Sequence, residues 1–363
     1  MKEEVLGRWL LTEKGLMKGH LRVVNGVIEE VCAGTSGGGR ENAVVIPALV
    51  NSHVHLGDCV AYPAPRGSVK DLVGPPDGHK HRILASTPPD KKIRAMRSAV
   101  EMMASSGTTE FGDFREEGIE GVRALRSSVD GIGIEARVFG RPRGRDYDEA
   151  ELDSILSEAD GIGMSALSDW PYEFLERISK RARSKGKIFA LHASESVRED
   201  IDSILRLKPD FLVHMCKASD DDIRACVDAG IGIVVCPRSN EFFGLNPGIQ
   251  RLLSAGAVVA LGTDNGMIVP PSMLDEMRAS YRISNERGRV TPLAIVHLAT
   301  LNGRKVLNAE PKITTEISCK SDLLVVRVMG EDPLLELVTD SGSDDIVGIA
   351  RGGKFRRTGA WTR

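Results

Sequence analysis

Short apolar runs alternate with amphipathic segments from residue 47 to residue 308, and this alternation constrains the fold more than any other feature. Each apolar run has the length of a buried strand, and each segment after it has helical periodicity. The unit repeats eight times, which predicts an α/β fold of the (β/α)8 TIM barrel type. A doubly wound open sheet would have fewer units and a glycine-rich phosphate turn after its first strand, and this sequence lacks that turn. The predicted strands are 44–50, 108–114, 134–140, 162–167, 187–192, 211–214, 231–236 and 258–263.

The sequence on either side of this region has a different pattern. Residues 1–46 and 309–363 contain short apolar runs separated by turn residues, which is typical of short strands. Neither flank is long enough to bury its apolar face alone. We therefore predict that the two flanks combine into one discontinuous β-sandwich domain, and that residues 47–308 form the barrel domain.

Residues that can bind a metal ion follow several of the predicted strands. His53 and His55 come at the end of the first strand, and alternate residues of a strand point to the same side. His192 ends the fifth strand, His214 ends the sixth, and Asp264 follows the eighth. Because the C-terminal ends of barrel strands converge on one mouth, these five side chains are predicted to meet there. Imidazole and carboxylate ligands suit zinc or ferrous iron.

Six short motifs follow one another in a characteristic order. They are Pro47-Ala-Leu-Val-Asn-Ser-His-Val-His55, His192-Ala-Ser-Glu195, His214, Cys236-Pro-Arg-Ser-Asn240, Gly262-Thr-Asp-Asn265 and Ala299-Thr-Leu-Asn-Gly303. Together they resemble the amidohydrolase superfamily, and the resemblance covers most of the chain, including its flanks. The motifs after the fifth, seventh and eighth strands look like the branch of cytosine, guanine and S-adenosylhomocysteine deaminases and triazine hydrolases.

The resemblance implies a role for each matching residue. One divalent metal ion, Zn²⁺ or Fe²⁺, would be held by His53, His55, His192 and Asp264. Glu195 would act as the proton shuttle, and His214 would hydrogen-bond the attacking water or the leaving group. Asp264 would also take a proton from the metal-activated water. The implied activity is that of a metal-dependent hydrolase acting on a non-peptide carbon–nitrogen bond of a small molecule, with deamination of an amino-substituted heterocycle (purine, pyrimidine or nucleoside) as the leading reaction.

Three alternatives stay open. A related enzyme would remove chloride or an alkylamine from a triazine-type ring, and a binuclear enzyme would open a cyclic amide. The fourth strand ends in Ser165-Ala-Leu167, with Asp169 close behind, and has no lysine to bridge two metals, which favours one metal ion. The same segment lacks the substrate-contacting histidine of the adenosylhomocysteine-type deaminases, so the substrate is not identified. The third alternative is a non-catalytic scaffold, against which the complete set of ligands and shuttle argues.

Composition excludes several other classes of function. The net charge is −3 and no block of like charge occurs, so neither nucleic acid nor an acidic membrane surface is an expected partner. No apolar run approaches the ~20 residues of a membrane span. The 6 cysteines contain no C-x-x-C pair and are expected to be reduced thiols. We therefore expect a cytoplasmic protein, and the resemblance implies a homodimer.

A long loop, Cys59–Pro89, separates the first predicted strand from the first helix. A loop of this length in a compact domain is usually functional or disordered. His79 and His81 lie in it, and either they contact the substrate or they are ordinary exposed loop residues.

Overall fold

The computed structural model describes residues 2–12, 15–34, 42–287, 290–308 and 317–358. Within these ranges the strands form two separate β-sheets. The strands are, in chain order, β1 (Glu3–Leu6), β2 (Trp9–Thr12), β3 (Gly15–Val24), β4 (Val27–Ala33), β5 (Ala43–Pro47), β6 (Leu49–His55), β7 (Thr108–Arg115), β8 (Glu135–Gly140), β9 (Gly161–Met164), β10 (Ile188–Ala193), β11 (Phe211–His214), β12 (Gly232–Val235), β13 (Val259–Leu261), β14 (Asp264–Asn265), β15 (Leu323–Arg327), β16 (Ile346–Arg351) and β17 (Lys354–Arg357).

The helices each bury one apolar stripe, as helical periodicity requires. In the sixth helix, for example, Phe174, Ile178 and Ala182 are buried at intervals of four residues. The helices are α1 (Val69–Leu72), α2 (His79–Ser86), α3 (Pro89–Ser105), α4 (Gly118–Val129), α5 (Glu149–Glu158), α6 (Tyr172–Ser184), α7 (Ile201–Arg206), α8 (Asp220–Asp228), α9 (Pro237–Phe242), α10 (Ile249–Ser254), α11 (Met273–Arg287), α12 (Pro292–Leu298), α13 (Leu301–Leu307) and α14 (Pro333–Thr339). In the part of the chain that the structure describes, none of them is both long and apolar enough to cross a membrane.

The parallel strands β6 to β14 form a closed ring. β6 pairs with β7, and each strand then pairs with the next as far as β13. β14 returns to β6, with Asp264 opposite Val54 and Asn265 opposite His55. Only Gly262 and Thr263 separate β13 from β14, so these two short strands act as one eighth strand that closes the ring. The protein therefore has the TIM-barrel-like fold that the sequence predicts.

Aromatic side chains fill the interior of the barrel beneath its C-terminal mouth. Phe114, Phe139 and Phe211 belong to one buried apolar cluster. The ring of Phe139 lies 5.6 Å from that of Phe114 and 5.5 Å from that of Phe211, in edge-to-face orientations that aromatic pairs prefer. His53 lies against Phe114 with 4.5 Å between ring centroids. The interior is thus packed with apolar side chains up to the level of the first histidine.

The second sheet contains strands from both ends of the chain, as predicted. β15 pairs with β5 and with β16, and β17 pairs with β4. The predicted β-sandwich, however, is not what the strands form. They make a single hydrogen-bonded sheet, which closes on itself because the ten-residue β3 pairs with β1, β2 and β4. The boundary predicted at residue 309 falls outside the described residues, so the division into domains 1–46 plus 309–363 and 47–308 stays a prediction.

The first predicted strand, 44–50, was wrong as a single element. Residues 43–47 form β5 in the terminal sheet, and the barrel strand β6 begins at Leu49. Between them the amide of Ala48 donates to the Asp322 carbonyl oxygen, whereas the amide of Leu49 donates to that of Gly107. The chain therefore changes sheets between Ala48 and Leu49. Continuous burial on both sides concealed this change of sheet in the sequence.

Three further segments differ from prediction. The loop 59–89 contains the short helices α1 and α2. Helical periodicity in the sequence predicts a helix over residues 197–207, but this helix begins only at Ile201. The Cys236 motif forms the helix α9, which the sequence pattern did not predict. Proline at the first position of α9 is compatible with a helix start, because the missing N–H would have no partner there.

Candidate metal centre and active site

Four side chains from three strand ends meet at the mouth of the barrel. His53 Nε2 lies 3.3 Å from Asp264 Oδ1, and His55 Nε2 lies 3.6 Å from the same oxygen. His55 Nε2 is also 3.3 Å from His192 Nε2. Both β6 histidines point inward because they are two residues apart on one strand. The donor atoms of these four residues all lie within 4.8 Å of one another, close enough to hold one metal ion.

The tautomers of two histidines suit metal binding. His55 Nδ1 lies 3.0 Å from the carbonyl oxygen of Phe114, and His192 Nδ1 lies 2.9 Å from that of Met164. A carbonyl oxygen only accepts, so each Nδ1 carries the proton and each Nε2 has a free lone pair. Hydrogen bonds of this kind commonly orient metal-binding histidines. The residues present therefore fit a zinc or ferrous ion: three imidazoles, of which two are fixed by backbone carbonyls, and one carboxylate.

The other donor atoms of the four candidate ligands, on His53 and Asp264, make few hydrogen bonds. His53 makes no well-directed hydrogen bond through either ring nitrogen within the described ranges, and neither does Asp264 Oδ1. Burial lowers the pKa of His55 to about 3 and also lowers the pKa of His53 and His192, so all three are neutral at pH 7. Burial raises the pKa of Asp264, but the contact with His53 and the charges of His214, His53 and His55 together outweigh it and hold that pKa well below its ordinary value. Neutral imidazoles beside an ionised carboxylate are the protonation states that a metal ion requires.

Glu195 and His214 also lie close to Asp264. Glu195 Oε1 is 3.6 Å from His214 Nε2, and these two residues with Asp264 form a second group of donor atoms within 4.8 Å of one another. Burial raises the pKa of Glu195, which favours its protonated form. Asp169 follows the fourth barrel strand and is the candidate there for a carboxylate that bridges two metal ions. Among the described residues, it belongs to neither of these two groups. The structure therefore brings together all six residues that the sequence assigned to the site.

Strained backbone marks the strand ends that carry these groups. Ser194, His214, Met215 and Asp264 have φ angles of 47°, 79°, 58° and 62°. Residues other than glycine rarely adopt such values, and the cost is about 1–3 kcal/mol each. Left-handed residues of this kind cluster at functional sites, where the surrounding structure over-determines them.

Helix α9 supplies two residues that sequence reasoning did not assign a role. Ser239 Oγ donates to Asp264 Oδ2 at 2.6 Å, and Asn240 Nδ2 lies 3.2 Å from His214 Nδ1, to which it can donate. Both side chains are completely buried. If Asn240 donates to Nδ1, then His214 carries its proton on Nε2, the nitrogen that faces Glu195. The signal was present in the Cys-Pro-Arg-Ser-Asn motif, but only the helix shows which residue each side chain contacts.

A buried cluster of charges borders the ligands on the β6–β7 side, and sequence reasoning missed it. Lys80, from α2, places its Nζ 2.7 Å from Glu116 Oε1 and 3.7 Å from Asp58 Oδ2. Glu116 Oε1 is in turn 3.1 Å from His55 Nδ1. The guanidinium of Arg115 lies 2.5 Å from the other oxygen of Glu116. The 59–89 loop thus reaches the site through a lysine.

The two histidines that flank Lys80 in the sequence are not part of either donor group. His81 Nε2 lies 3.2 Å from the carbonyl oxygen of Val73, so it contacts its own loop. His79 is the first residue of α2 and is partly buried.

Comparison with known sequences identifies the type of protein. Residues 44–356 match the sequence model of the amidohydrolase family. The chain is 34% identical over 345 residues to a protein of Archaeoglobus fulgidus whose name proposes an aminohydrolase, covering 94% of this chain and 96% of that protein. It is 27% identical to the 5-methylthioadenosine/S-adenosylhomocysteine deaminase of Haloquadratum walsbyi, covering 78% of this chain and 71% of that enzyme.

Solved structures share the fold at lower identity. An adenosine deaminase from Xanthomonas campestris with bound zinc superposes with a TM-score of 0.79 at 18% identity, covering 97% of this chain and 92% of the other. The atrazine chlorohydrolase of Arthrobacter aurescens, complexed with zinc, superposes with a TM-score of 0.73 at 15% identity, covering 97% and 94%. At these identities the likeness concerns the fold.

Proposed function

The chain belongs to the amidohydrolase family and is a hydrolase of carbon–nitrogen bonds, and we propose that it is a metal-dependent deaminase of an amino-substituted heterocycle. The observation that carries this proposal is that Asp264 belongs to two groups of donor atoms. One group contains the three neutral histidines, and the other contains Glu195 and His214. One carboxylate can therefore contact a metal-bound water while a proton donor, Glu195, lies close to the same carboxylate.

The proposed metal ligands are His53, His55, His192 and Asp264, with one divalent ion per chain, Zn²⁺ or Fe²⁺. When bound there, such an ion lowers the pKa of a coordinated water toward ~7 and supplies hydroxide at neutral pH. A second ion is not proposed, although Glu195, His214 and Asp264 could approach one. That group has only three donors, and one of them, Glu195, has a raised pKa that suits a proton donor better than a ligand.

Each protein residue then has one task. Asp264, held by Ser239 through Oδ2, accepts the proton of the attacking water on Oδ1. Glu195 donates its proton to a ring nitrogen of the substrate, takes the second proton of the attacking oxygen and passes it to the departing amine. The proton held by Asp264 then returns Glu195 to its protonated form. His214, oriented by Asn240, hydrogen-bonds the attacking oxygen or the leaving group from its Nε2–H. The ammonia that leaves carries the nitrogen of the broken carbon–nitrogen bond.

Lys80, Glu116 and Asp58 form a buried cluster of charges beside His55. Neither the deaminase nor the chlorohydrolase reaction is favoured over the other by these residues. The family relatives support a small-molecule substrate. Deamination is preferred because the relatives of Archaeoglobus fulgidus and Haloquadratum walsbyi, which match most of this chain, have aminohydrolase or deaminase in their names. A cytoplasmic location and a homodimer stay predictions.

The reaction is tested by ammonia release from the purified, zinc-loaded protein. The panel contains adenosine, 5-methylthioadenosine, S-adenosylhomocysteine, guanine, cytosine and an amino-triazine, with chloride release from a chlorotriazine as the parallel assay. Metal analysis accompanies it, and we expect about one zinc or iron per chain. Chloride release without ammonia release would replace deamination by dehalogenation. Two metal ions per chain with turnover of cyclic amides only would overturn the mononuclear proposal.

The shuttle is tested by Glu195→Gln. We expect this variant to keep its metal and to lose activity by ~10²–10⁴-fold, because the amide cannot transfer a proton. Glu199→Gln is the matched control, since Glu199 lies in the same segment and accepts hydrogen bonds only from the backbone amides of Ser168 and Ser194 at 3.0 and 2.9 Å. If Glu195→Gln were as active as Glu199→Gln, Glu195 would not be the proton shuttle.

A further inference from the structure

The closure of the barrel has an unusual gap at the level of the ligands. β13 pairs with β12 as far as Leu261, and β14 pairs with β6 from Asp264 onward. Between them, the amide of Gly262 still donates to Val235 O at 3.0 Å. Thr263 is the residue at which the eighth strand passes from one neighbour to the other, and its buried N–H needs a hydrogen-bond acceptor there.

A side chain supplies that acceptor. Thr263 N donates to Asn51 Oδ1 at 3.0 Å, and Asn51 Nδ2 donates in return to Thr263 Oγ1 at 2.8 Å. Asn51 has an exposed fraction of 0% and Thr263 of 1%, so water does not compete for either contact. The amide of Asn51 therefore takes the place of backbone pairing between the first and last strands of the barrel at this point.

This pair lies directly beside the ligands on both strands. Asn51 stands two residues before His53 on β6, where the register between β6 and β7 shifts, and its Nδ2 also lies 3.6 Å from Met103 Sδ of α3. Thr263 immediately precedes Asp264. Gly262 has no room for a side chain, since a Cβ there would lie 2.7 Å from the backbone nitrogen and oxygen of His53. The first and last strands of the barrel are thus in direct contact at this level. The hydrogen bonds between Asn51 and Thr263 fix the position of one strand relative to the other along the barrel axis.

Asp264 needs such support, because its own backbone is strained. Its φ of 62° lies in the left-handed region, which an aspartate occupies only when its surroundings impose it. Ser239 holds the carboxylate through Oδ2, but that contact fixes the side chain only. The backbone just before Asp264 is fixed by the hydrogen bonds between Thr263 and Asn51.

We propose that Asn51 is a positioning residue of the metal centre, which acts through Thr263 to hold Asp264 at binding distance from the histidines of β6. The inference rests on the metal-dependent function proposed above. Asn51 does not touch the metal or the substrate in this assignment. Its effect is to fix the distance between ligands that come from the two ends of the barrel sequence.

The test measures zinc affinity by competition with a chromophoric chelator, and the absorption spectrum of the cobalt(II)-substituted protein. We expect Asn51→Ala and Thr263→Val each to weaken zinc binding by ~10–100-fold, the usual cost of losing an outer support of a metal ligand. Thr263→Ser keeps the hydroxyl acceptor and should bind zinc like the wild type. The cobalt spectrum should change in the first two variants and not in the third.

Asn302→Ala is the matched control. Asn302 Nδ2 donates to the carbonyl oxygen of Val259 at 2.8 Å, so it holds the same eighth strand at its opposite end. This variant should lose stability without losing zinc affinity. Equal zinc affinities in wild type, Asn51→Ala and Thr263→Val would overturn the inference while leaving the proposed function intact. A wild-type protein that binds no zinc, iron or cobalt would overturn both. If Asn51→Ala does not fold, the Thr263→Val and Thr263→Ser pair decides.

Discussion

Carboxylates at the two ends of the barrel have different surroundings. At the end opposite the site, Asp160 Oδ2 accepts from the amide of Val138 at 2.8 Å and from the Arg126 guanidinium at 2.6 Å, and its side chain is partly exposed to solvent. At the site end, Asp113 is completely buried, its Oδ2 accepts from the amide of Leu56 at 2.7 Å, and its Oδ1 lies 3.5 Å from the Arg115 guanidinium. Each aspartate holds a backbone amide, but only the one near the site does so as part of a buried cluster of charges.

The difference extends to other carboxylates. Buried carboxylate oxygens that make no well-directed hydrogen bond to the described residues occur in Asp58, Asp113, Glu116, Asp264 and Glu276, all near the C-terminal ends of the strands or the helices behind them. Each of these oxygens instead lies within 4 Å of a basic side chain: Lys80, Arg115, His53 or Arg238. At the opposite end, Arg304 Nη1 and Thr108 Oγ1 make no hydrogen bond to the described residues, and no carboxylate oxygen is in that position. Because breaking a buried ion pair leaves an uncompensated charge, we expect the carboxylates of the site end to be the more sensitive to substitution.

The largest effect is expected from Asp264→Asn. The asparagine keeps the shape and can still accept from Ser239, but it loses the charge that completes the metal site and the base that takes the water's proton. We expect activity to fall by at least ~10²-fold, and zinc affinity to fall with it. Ammonia release and chelator competition measure the two losses. A variant that kept full zinc affinity and full activity would show that the site end does not need this charge.

The second largest effect is expected on the pH dependence of the free energy of unfolding, through Glu276. This residue lies on α11, where its Oε1 accepts from the amide of Arg238 at 2.8 Å. Burial raises the pKa of Glu276 to about 8. The folded protein therefore binds a proton that the unfolded chain releases near its ordinary pKa of ~4.5, so the free energy of unfolding falls as the pH rises from ~4.5 to ~8.

Glu276→Gln removes this dependence, because the amide is neutral at every pH and keeps the acceptor for Arg238. We expect the variant and the wild type to have similar free energies of unfolding near pH 5. Near pH 8 we expect the variant to be more stable by roughly a few kcal/mol. Urea unfolding of the metal-free proteins from pH 5 to pH 8 measures the difference. If the free energies of unfolding of the two proteins changed with pH in the same way over this range, Glu276 would be ionised in the folded protein.

The sequence predicted that the four candidate ligands meet, because strand topology alone determines their position. His53, His55, His192 and Asp264 come from the ends of different parallel strands, and such ends meet wherever the ring closes. The alternation of side chains on a strand then orients the two histidines of β6. Neither step requires knowledge of the loops.

The supporting residues could not be predicted in the same way. Lys80 lies on a short helix in a segment rich in proline and glycine, where no periodicity fixes the direction of a side chain. Ser239 and Asn240 lie on α9, whose existence the strand–helix pattern did not reveal. The pairing of Asn51 with Thr263 depends on where the eighth strand is interrupted, and this interruption is a feature of the closed ring rather than of either sequence segment.

The smallest effect is expected at the end opposite the site. Asp160→Ala removes the acceptor for the amide of Val138 and the partner of Arg126, and we expect it to lower the free energy of unfolding by about 1–2 kcal/mol. Asp160→Asn keeps an acceptor for the amide and should cost less. Zinc affinity should equal that of the wild type in both, because Asp160 precedes β9 at the end of the barrel away from the ligands.

Asp113→Ala provides the comparison within the same barrel. It removes one backbone hydrogen bond, as Asp160→Ala does, but the amide that loses its acceptor is that of Leu56, directly after the ligand His55. We therefore expect zinc affinity to fall in Asp113→Ala and to stay unchanged in Asp160→Ala, when both are measured by chelator competition. If both variants lost only stability, the carboxylates at the two ends would be equivalent in function, and the oxygens without hydrogen bonds at the site end would need another explanation.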